Sequence, residues 1–188
     1  MKLFWRCRMV QNRKTKRILP FLDTNGKVQS IRDVRMYHGT AAKYRFSQFL
    51  DYKPAFFTSS LTLAQNYGKG EGKARVLECS LTIERPFDPS QSALSQQVYN
   101  QEFVPFFSSK YARLSDGLRP LVFPEPLSFV WADYLWSFLR KRAREDAATD
   151  FDGMVVSEGV SWENPEWRWS YSPLYIDRQV QILSTLTS

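Results

Sequence analysis

The sequence predicts an α+β domain, and three stretches predict it. Arg75 to Ile83 sets Val76, Glu78, Ser80 and Thr82 against Leu77, Cys79, Leu81 and Ile83, the two-residue period of a strand. Residues 128–146 place Val130, Trp131, Tyr134, Leu135, Phe138 and Leu139 on one apolar stripe at helical spacing. Ser30 to Tyr37 is a strand-like run that leads into Tyr37-His38-Gly39-Thr40, where His38 is the single histidine of the chain.

A length of 188 residues fits one domain, and 43% hydrophobic with 15% aromatic residues suffices for a packed core. No apolar run of about 18 residues occurs, so no transmembrane helix is expected. Met1-Lys2-Leu3-Phe4-Trp5-Arg6 is not followed by the apolar segment of a secretory signal. Cys7 and Cys79 read as two reduced thiols of a cytoplasmic protein, with one bridge as the alternative. Residues 1–35 carry ten Lys or Arg against Asp23 and Asp33, a net of +8, so the remainder of this +7 chain nets −1. That basic segment suits a phosphate backbone or an acidic partner, or else it is a solvated arm or a charge-protected hairpin edge.

The division expected is a basic N-terminal hairpin region, 1–35, followed by a catalytic domain, 36–188. Lys2–Val10, Ile18–Leu22 and Lys27–Ser30 read as short strands, with Asp23-Thr24-Asn25-Gly26 as a tight turn. Ala41 to Leu50 should be a short helix that turns Phe46, Phe49 and Leu50 inward. Ala55–Ser59 reads as a strand, and Ser60 or Thr62 can cap a helix from Leu61 to Tyr67 that stops at Gly68. A helix over Ser95–Phe107 should break near Pro105, and Pro120, Pro124 and Pro126 mark a loop. The basic end Arg140-Lys141-Arg142-Ala143-Arg144 suits a helix C-terminus, or alternatively a phosphate site. Phe151-Asp152-Gly153 turns into a buried strand, Met154-Val155-Val156. Ser161 to Tyr171 is an aromatic loop, and Leu174–Leu186 closes the chain as one bent or two short strands.

Phe56-Phe57-Thr58-Ser59-Ser60 lies about twenty residues after His38, and Tyr67 lies eleven after Phe56. Together with Tyr37-His38-Gly39-Thr40, this pattern resembles the ADP-ribosyltransferase superfamily, in the branch typified by diphtheria toxin and the poly-ADP-ribose polymerases. The resemblance covers residues 36–84 well and 150–183 weakly. It implies two packed β-sheets around an NAD cleft, with NAD as co-substrate contacted by Tyr37, His38, Gly39, Thr40, Phe56, Phe57, Thr58, Ser59 and Tyr67. By the same resemblance His38 bonds the adenosine ribose and Gly39 clamps the nicotinamide carboxamide with its backbone. Tyr67 stacks on the nicotinamide ring opposite Phe56, and Ser59 can bond the carboxamide. The third catalytic position departs from the diphtheria-toxin pattern, whose glutamate falls on Leu174. Gln179-Val180-Gln181 resembles the element of other branches, which points to Gln181, with Gln179 or Asp177 as alternatives. A glutamine there fits mono- rather than poly-ADP-ribosylation.

The loop before that strand recognises the acceptor in related toxins. Trp162, Trp167, Arg168 and Trp169 are therefore the expected acceptor contacts, suited to unpaired bases or to a protein surface. The function implied is that of a cytoplasmic toxin or defence effector with an antitoxin as a further partner. Its acceptor is expected to be nucleic acid, RNA in particular, or alternatively protein. The rival reading is a non-catalytic nucleic-acid-binding module on the same fold. No phosphate loop is present, Gly68-x-Gly70-x-Gly72 has the wrong spacing for a dinucleotide fingerprint, and one histidine with two distant cysteines does not make a zinc site.

Overall fold

The computed structural model describes residues 28–40, 49, 52–67, 75–110, 129–146, 149–157 and 169–187. The elements in chain order are β1 (Ile31–Thr40), β2 (Phe57–Thr58), α1 (Leu61–Tyr67), β3 (Arg75–Ile83), β4 (Pro86–Phe87) and α2 (Ala93–Val98). After these come a π turn (Tyr99–Phe103), α3 (Val104–Lys110), α4 (Phe129–Glu145), β5 (Gly153–Ser157), β6 (Trp169–Pro173), α5 (Ile176–Gln179) and β7 (Val180–Thr187). The class is α+β, as expected. The expected pair of packed sheets is not what forms: the described strands make one seven-stranded sheet, in the order β4-β5-β6-β2-β1-β3-β7.

That sheet narrows to a waist at β2. Strand β2 has only two residues, which both pair with β6, while a single pair, Tyr37 with Thr58, joins β2 to β1. On one side β1 runs along β3, and β3 along β7; on the other, β5 pairs with β6 and, in parallel, with β4.

The alternation read in 75–83 holds, with Leu77, Cys79, Leu81 and Ile83 in a core that also takes Val34, Met36, Phe57, Val155 and Tyr171. Cys79 is a free thiol in that core, and burial pushes its pKa up to about 12, which leaves it inert. The opposite face is covered by α1 over Tyr37 and Val76, and by α4 over Met154 and Val156. Strand β1 starts at Ile31, so residues 31–35 are part of the sheet. None of the described helices is long and apolar enough to cross a membrane.

Several local expectations shift. The chain does not break at Pro105: helix runs on from α2 into a wide π turn, closed by a bond from the Val104 N–H to Tyr99 O, and the widened turn accommodates the proline that follows as α3 continues. Helix α4 is rotated from the stripe expected. Ala132, Trp136 and Ala143 join Trp131, Leu135 and Leu139 in the core, and Val130 is exposed. The Trp136 Nε1–H donates to Pro173 O at 2.9 Å and Arg140 donates to Leu174 O, which sets that rotation. Arg140 is thus buried, its guanidinium 5.1 Å from the Trp136 ring, and is not part of an open basic patch. Residues 174–179 form a turn and the short α5 where strand was expected, because Gln179 folds back: its Oε1 accepts from Tyr175 N and its Nε2 donates to Thr82 O. Tyr171, expected in a loop, lies in β6 and is fully buried.

The Asp152-Gly153 turn has a structural cause. The Asp152 carboxylate accepts from the backbone N–H groups of Glu84 and Arg85, and so ties the end of β3 to the start of β5. A Cβ at Gly153 would lie 2.7 Å from Ile83 Cδ1, so only glycine lets β5 approach this closely.

Candidate functional site

Strand β1 carries Tyr37 and Gly39 toward the helix-covered face and His38 toward the opposite core, the ordinary alternation of a strand. The His38 ring packs edge-on against Phe49 at 5.1 Å and against Phe57 at 5.5 Å. Its Nδ1–H donates to Phe56 O at 2.9 Å, across the seam where β1 and β2 part. That bond selects the tautomer and leaves Nε2 as the acceptor nitrogen. Burial lowers the His38 pKa, and the bond to Phe56 O opposes this only in part, so the ring is neutral at neutral pH.

Helix α1 starts where expected. Ser60 is its cap, accepting from Leu63 N at 3.2 Å, while Ser60 N donates to Thr58 Oγ1. Two turns later the helix delivers Ala64, buried, and Tyr67, 46% exposed.

The result is a cavity of about 300 Å³ on the sheet waist, lined by Tyr37, His38, Gly39, Phe56, Thr58, Ala64 and Tyr67, together with Asp133 of α4 and Ser170 of β6. His38 and Tyr67, both singled out in the sequence, line this one cavity, although the His38 ring itself packs into the opposite core against Phe49 and Phe57. Three of the expected contacts, Thr40, Phe57 and Ser59, do not line it. Phe57 is fully buried in the opposite core, where it supports the His38 ring, and Thr40 ends β1 opposite Arg75. Ser59 lies one residue beyond the cavity wall, with a buried hydroxyl that has no hydrogen-bond partner among the described residues.

Gln181 is not brought to the cavity. The row that holds His38 and Leu77 continues to Thr185 on β7, whereas Gln181 pairs with Ser80, which pairs with Arg35. The two rows are three apart, roughly 10 Å along the strands, and β7 lies two strands, about 10 Å, across from β1. Gln181 is exposed there. The alternatives fare no better: Gln179 is tied into the turn before β7, and Asp177 is exposed on α5. The distance arises because the α5 turn and the β7 register, both set by non-local pairing, carry this segment to the far edge of the sheet. Trp162, Trp167 and Arg168 lie outside the described residues. Trp169 is the first residue of β6, opposite Ser157.

Two cavity residues escaped the sequence reading, Asp133 and Ser170. Asp133 interrupts the apolar pattern of α4, but only the docking of that helix reveals what it faces. No protein-family model, curated protein or solved structure matches the chain.

Proposed function

We propose that the chain is an NAD-dependent mono-ADP-ribosyltransferase that modifies a macromolecule. The observation that carries this reading is the convergence of Tyr37, His38, Gly39, Phe56, Thr58 and Tyr67, separated by up to thirty residues, on one cavity.

The residues present fit the nicotinamide end of NAD. Aromatic faces from Tyr37, Phe56 and Tyr67 suit a cationic pyridinium ring. The Gly39 backbone has no side chain to keep a planar carboxamide away. His38 acts from behind the wall: its ring, held by Phe56 O, Phe49 and Phe57, fixes the β1–β2 seam that carries Gly39, Phe56 and Thr58. A cavity of about 300 Å³ is at the small end for ligand sites. It holds a ring and its sugar, and the rest of the dinucleotide would extend past it. Bound NAD supplies an anomeric carbon with a neutral leaving group. The chain's part is to grip the ring, orient the ribose and exclude water.

Nucleic acid, RNA in particular, is the acceptor we favour, on the strength of the +8 segment at residues 1–35 and the aromatic run from Trp162 to Trp169. A toxin or defence effector acting in the cytoplasm is the role this chemistry suits.

The test is incubation of the chain with NAD labelled in its adenylate phosphate, against total RNA, denatured DNA and a protein lysate in separate tubes. Label is expected in the nuclease-sensitive fraction, and Tyr67→Ala should lower transfer about 100-fold or more. Because Tyr67 is exposed, that variant keeps its fold. His38→Ala should also lose transfer, with a drop in stability because it opens the seam. Label confined to the lysate protein moves the acceptor to protein. A wild-type chain that releases no nicotinamide, or a Tyr67→Ala variant within three-fold of wild type, overturns the reading in favour of a binding module.

A further inference from the structure

Asp133 is the only acidic side chain among the described residues that line the cavity, and it lines a second recess as well. That recess is a groove of about 910 Å³ between α3 and α4, floored by Phe106, Tyr134 and Phe138 and reaching Lys141 and Arg142. Asp133 stands at the junction of the two. We propose that Asp133 is the general base for the acceptor, which approaches along the α3–α4 groove. The inference rests on the transferase reading and adds to it the residue that handles the acceptor's proton.

Position argues for this role first. In transfer, the acceptor's O–H or N–H group attacks the anomeric carbon of the NAD ribose. A bond forms from that oxygen or nitrogen to the carbon, and the bond from the carbon to the nicotinamide nitrogen breaks. The electron pair of the broken bond neutralises the pyridinium, and nicotinamide leaves uncharged. The proton released by the acceptor needs a base on the acceptor's side of the ribose. A carboxylate facing both the cavity and the adjoining groove occupies that side. The step balances with NAD and acceptor alone.

Rigidity argues next. Asp133 is one turn before Trp136, whose bond to Pro173 O anchors α4 to β6, and Tyr175 Oη donates to Ala143 O further along the helix. A base carried on an anchored helix is held in place without help from a loop.

Chemistry argues third. Burial holds the Asp133 carboxyl above its usual range, which strengthens it as a proton acceptor, yet the residue is exposed enough to return the proton to water. The titratable groups around it are Tyr37, His38 and Tyr67 on the cavity side. On the groove side they are Glu102, Tyr134, Lys141, Arg142 and Glu145, and Lys141 pairs with Glu145 at 3.9 Å. On the cavity side a further carboxylate, Glu78, is opposite Tyr37 on β3 but is engaged by Arg35 and Ser184, each at 2.8 Å, and does not line the cavity.

The experiment compares wild type, Asp133→Asn and Asp133→Glu. Transfer of label from NAD to total RNA and to lysate protein is followed as a function of pH, and NAD affinity is measured by calorimetry on the same samples. Asp133→Asn should lose transfer by about 100-fold or more, with NAD affinity within two-fold of wild type. The rise of the wild-type rate with pH on its acid side should vanish in Asp133→Asn, and Asp133→Glu should recover part of the rate. Transfer within three-fold of wild type in Asp133→Asn overturns the assignment. So does a loss of NAD affinity that accounts for the whole loss of transfer, which would make Asp133 a binding group. A wild-type chain that neither binds nor cleaves NAD overturns the transferase reading itself, and the inference with it.

Discussion

The cavity has two walls built in different ways. One comes from β1, β2 and α1, a continuous stretch between Tyr37 and Tyr67. The other comes from Asp133 on α4 and Ser170 on β6, at least sixty-six residues further along the chain. The first wall is made by short-range rules: strand alternation in β1 and a serine cap on α1. The second exists only because α4 docks on β6 through Trp136, Arg140 and the turn around Leu174. Residues on the first wall can be named from spacing. Those on the second cannot, because their position depends on how a distant helix is rotated.

This contrast is open to attack at the docking of α4. Trp136→Ala removes a fully buried ring and its bond to Pro173 O. The loss should cost about 3–5 kcal/mol, read as a drop in the denaturant midpoint. The second wall should loosen before the first. Protease protection of 129–145 should therefore fall at denaturant concentrations where the β1–β3 ladder still resists hydrogen exchange. If helix and ladder lose protection together, the two walls are one cooperative unit and the contrast is one of sequence distance only.

A smaller effect is expected where the two regions meet from the far side, at Gly153. A methyl at this position runs into Ile83, so Gly153→Ala should destabilise by about 1–3 kcal/mol through overpacking. Combining it with Ile83→Ala should cost less than the sum of the two single changes, since the clash disappears with the isoleucine side chain. Strict additivity in that cycle would mean that close packing is not why glycine is needed there.

Legibility followed the same division. The strand over 75–83 and the helix over 61–67 with its serine cap are readable because each depends on neighbours within a few residues; the turn at Asp152-Gly153 is readable from its residue types, although the Glu84 and Arg85 N–H groups that hold it lie nearly seventy residues away. The rotation of α4 was not, since Val130 and Trp136 are both apolar, and the choice between them rests on a carbonyl thirty-seven residues away. Gln181 was misplaced for a related reason. Its motif is local, but the row it occupies is set by pairing with Ser80, and Ser80 by pairing with Arg35. The π turn was foreseen only as a break at Pro105, because composition shows the missing N–H but not how the backbone absorbs it.

The most delicate probe of the first wall is its histidine. His38 is the only histidine in the chain, so it is the only side chain whose ordinary pKa, near 6.5, falls between pH 5 and 8. Folding lowers that pKa, chiefly by burial against Phe49 and Phe57. In the unfolded chain the ring takes a proton as the pH falls through about 6.5, while in the folded chain it resists. The unfolded state then binds more protons, so stability should fall as the pH drops below about 6.5, and should level off once the folded ring also protonates. Asp133 works in the other direction at lower pH: its raised carboxyl pKa means the folded state takes up that proton more readily, which favours folding as the pH falls. Replacing His38 by Gln keeps an N–H group that can donate to Phe56 O but removes the titration. The difference between the two stability curves from pH 7.5 to 5.5, measured by urea unfolding, isolates the imidazole from the carboxylates. Stability of the wild type should decline relative to His38→Gln across that window. Parallel curves would mean that the ring is as well hydrated in the folded chain as in the unfolded one, and so is not packed against Phe49 and Phe57 behind the cavity wall.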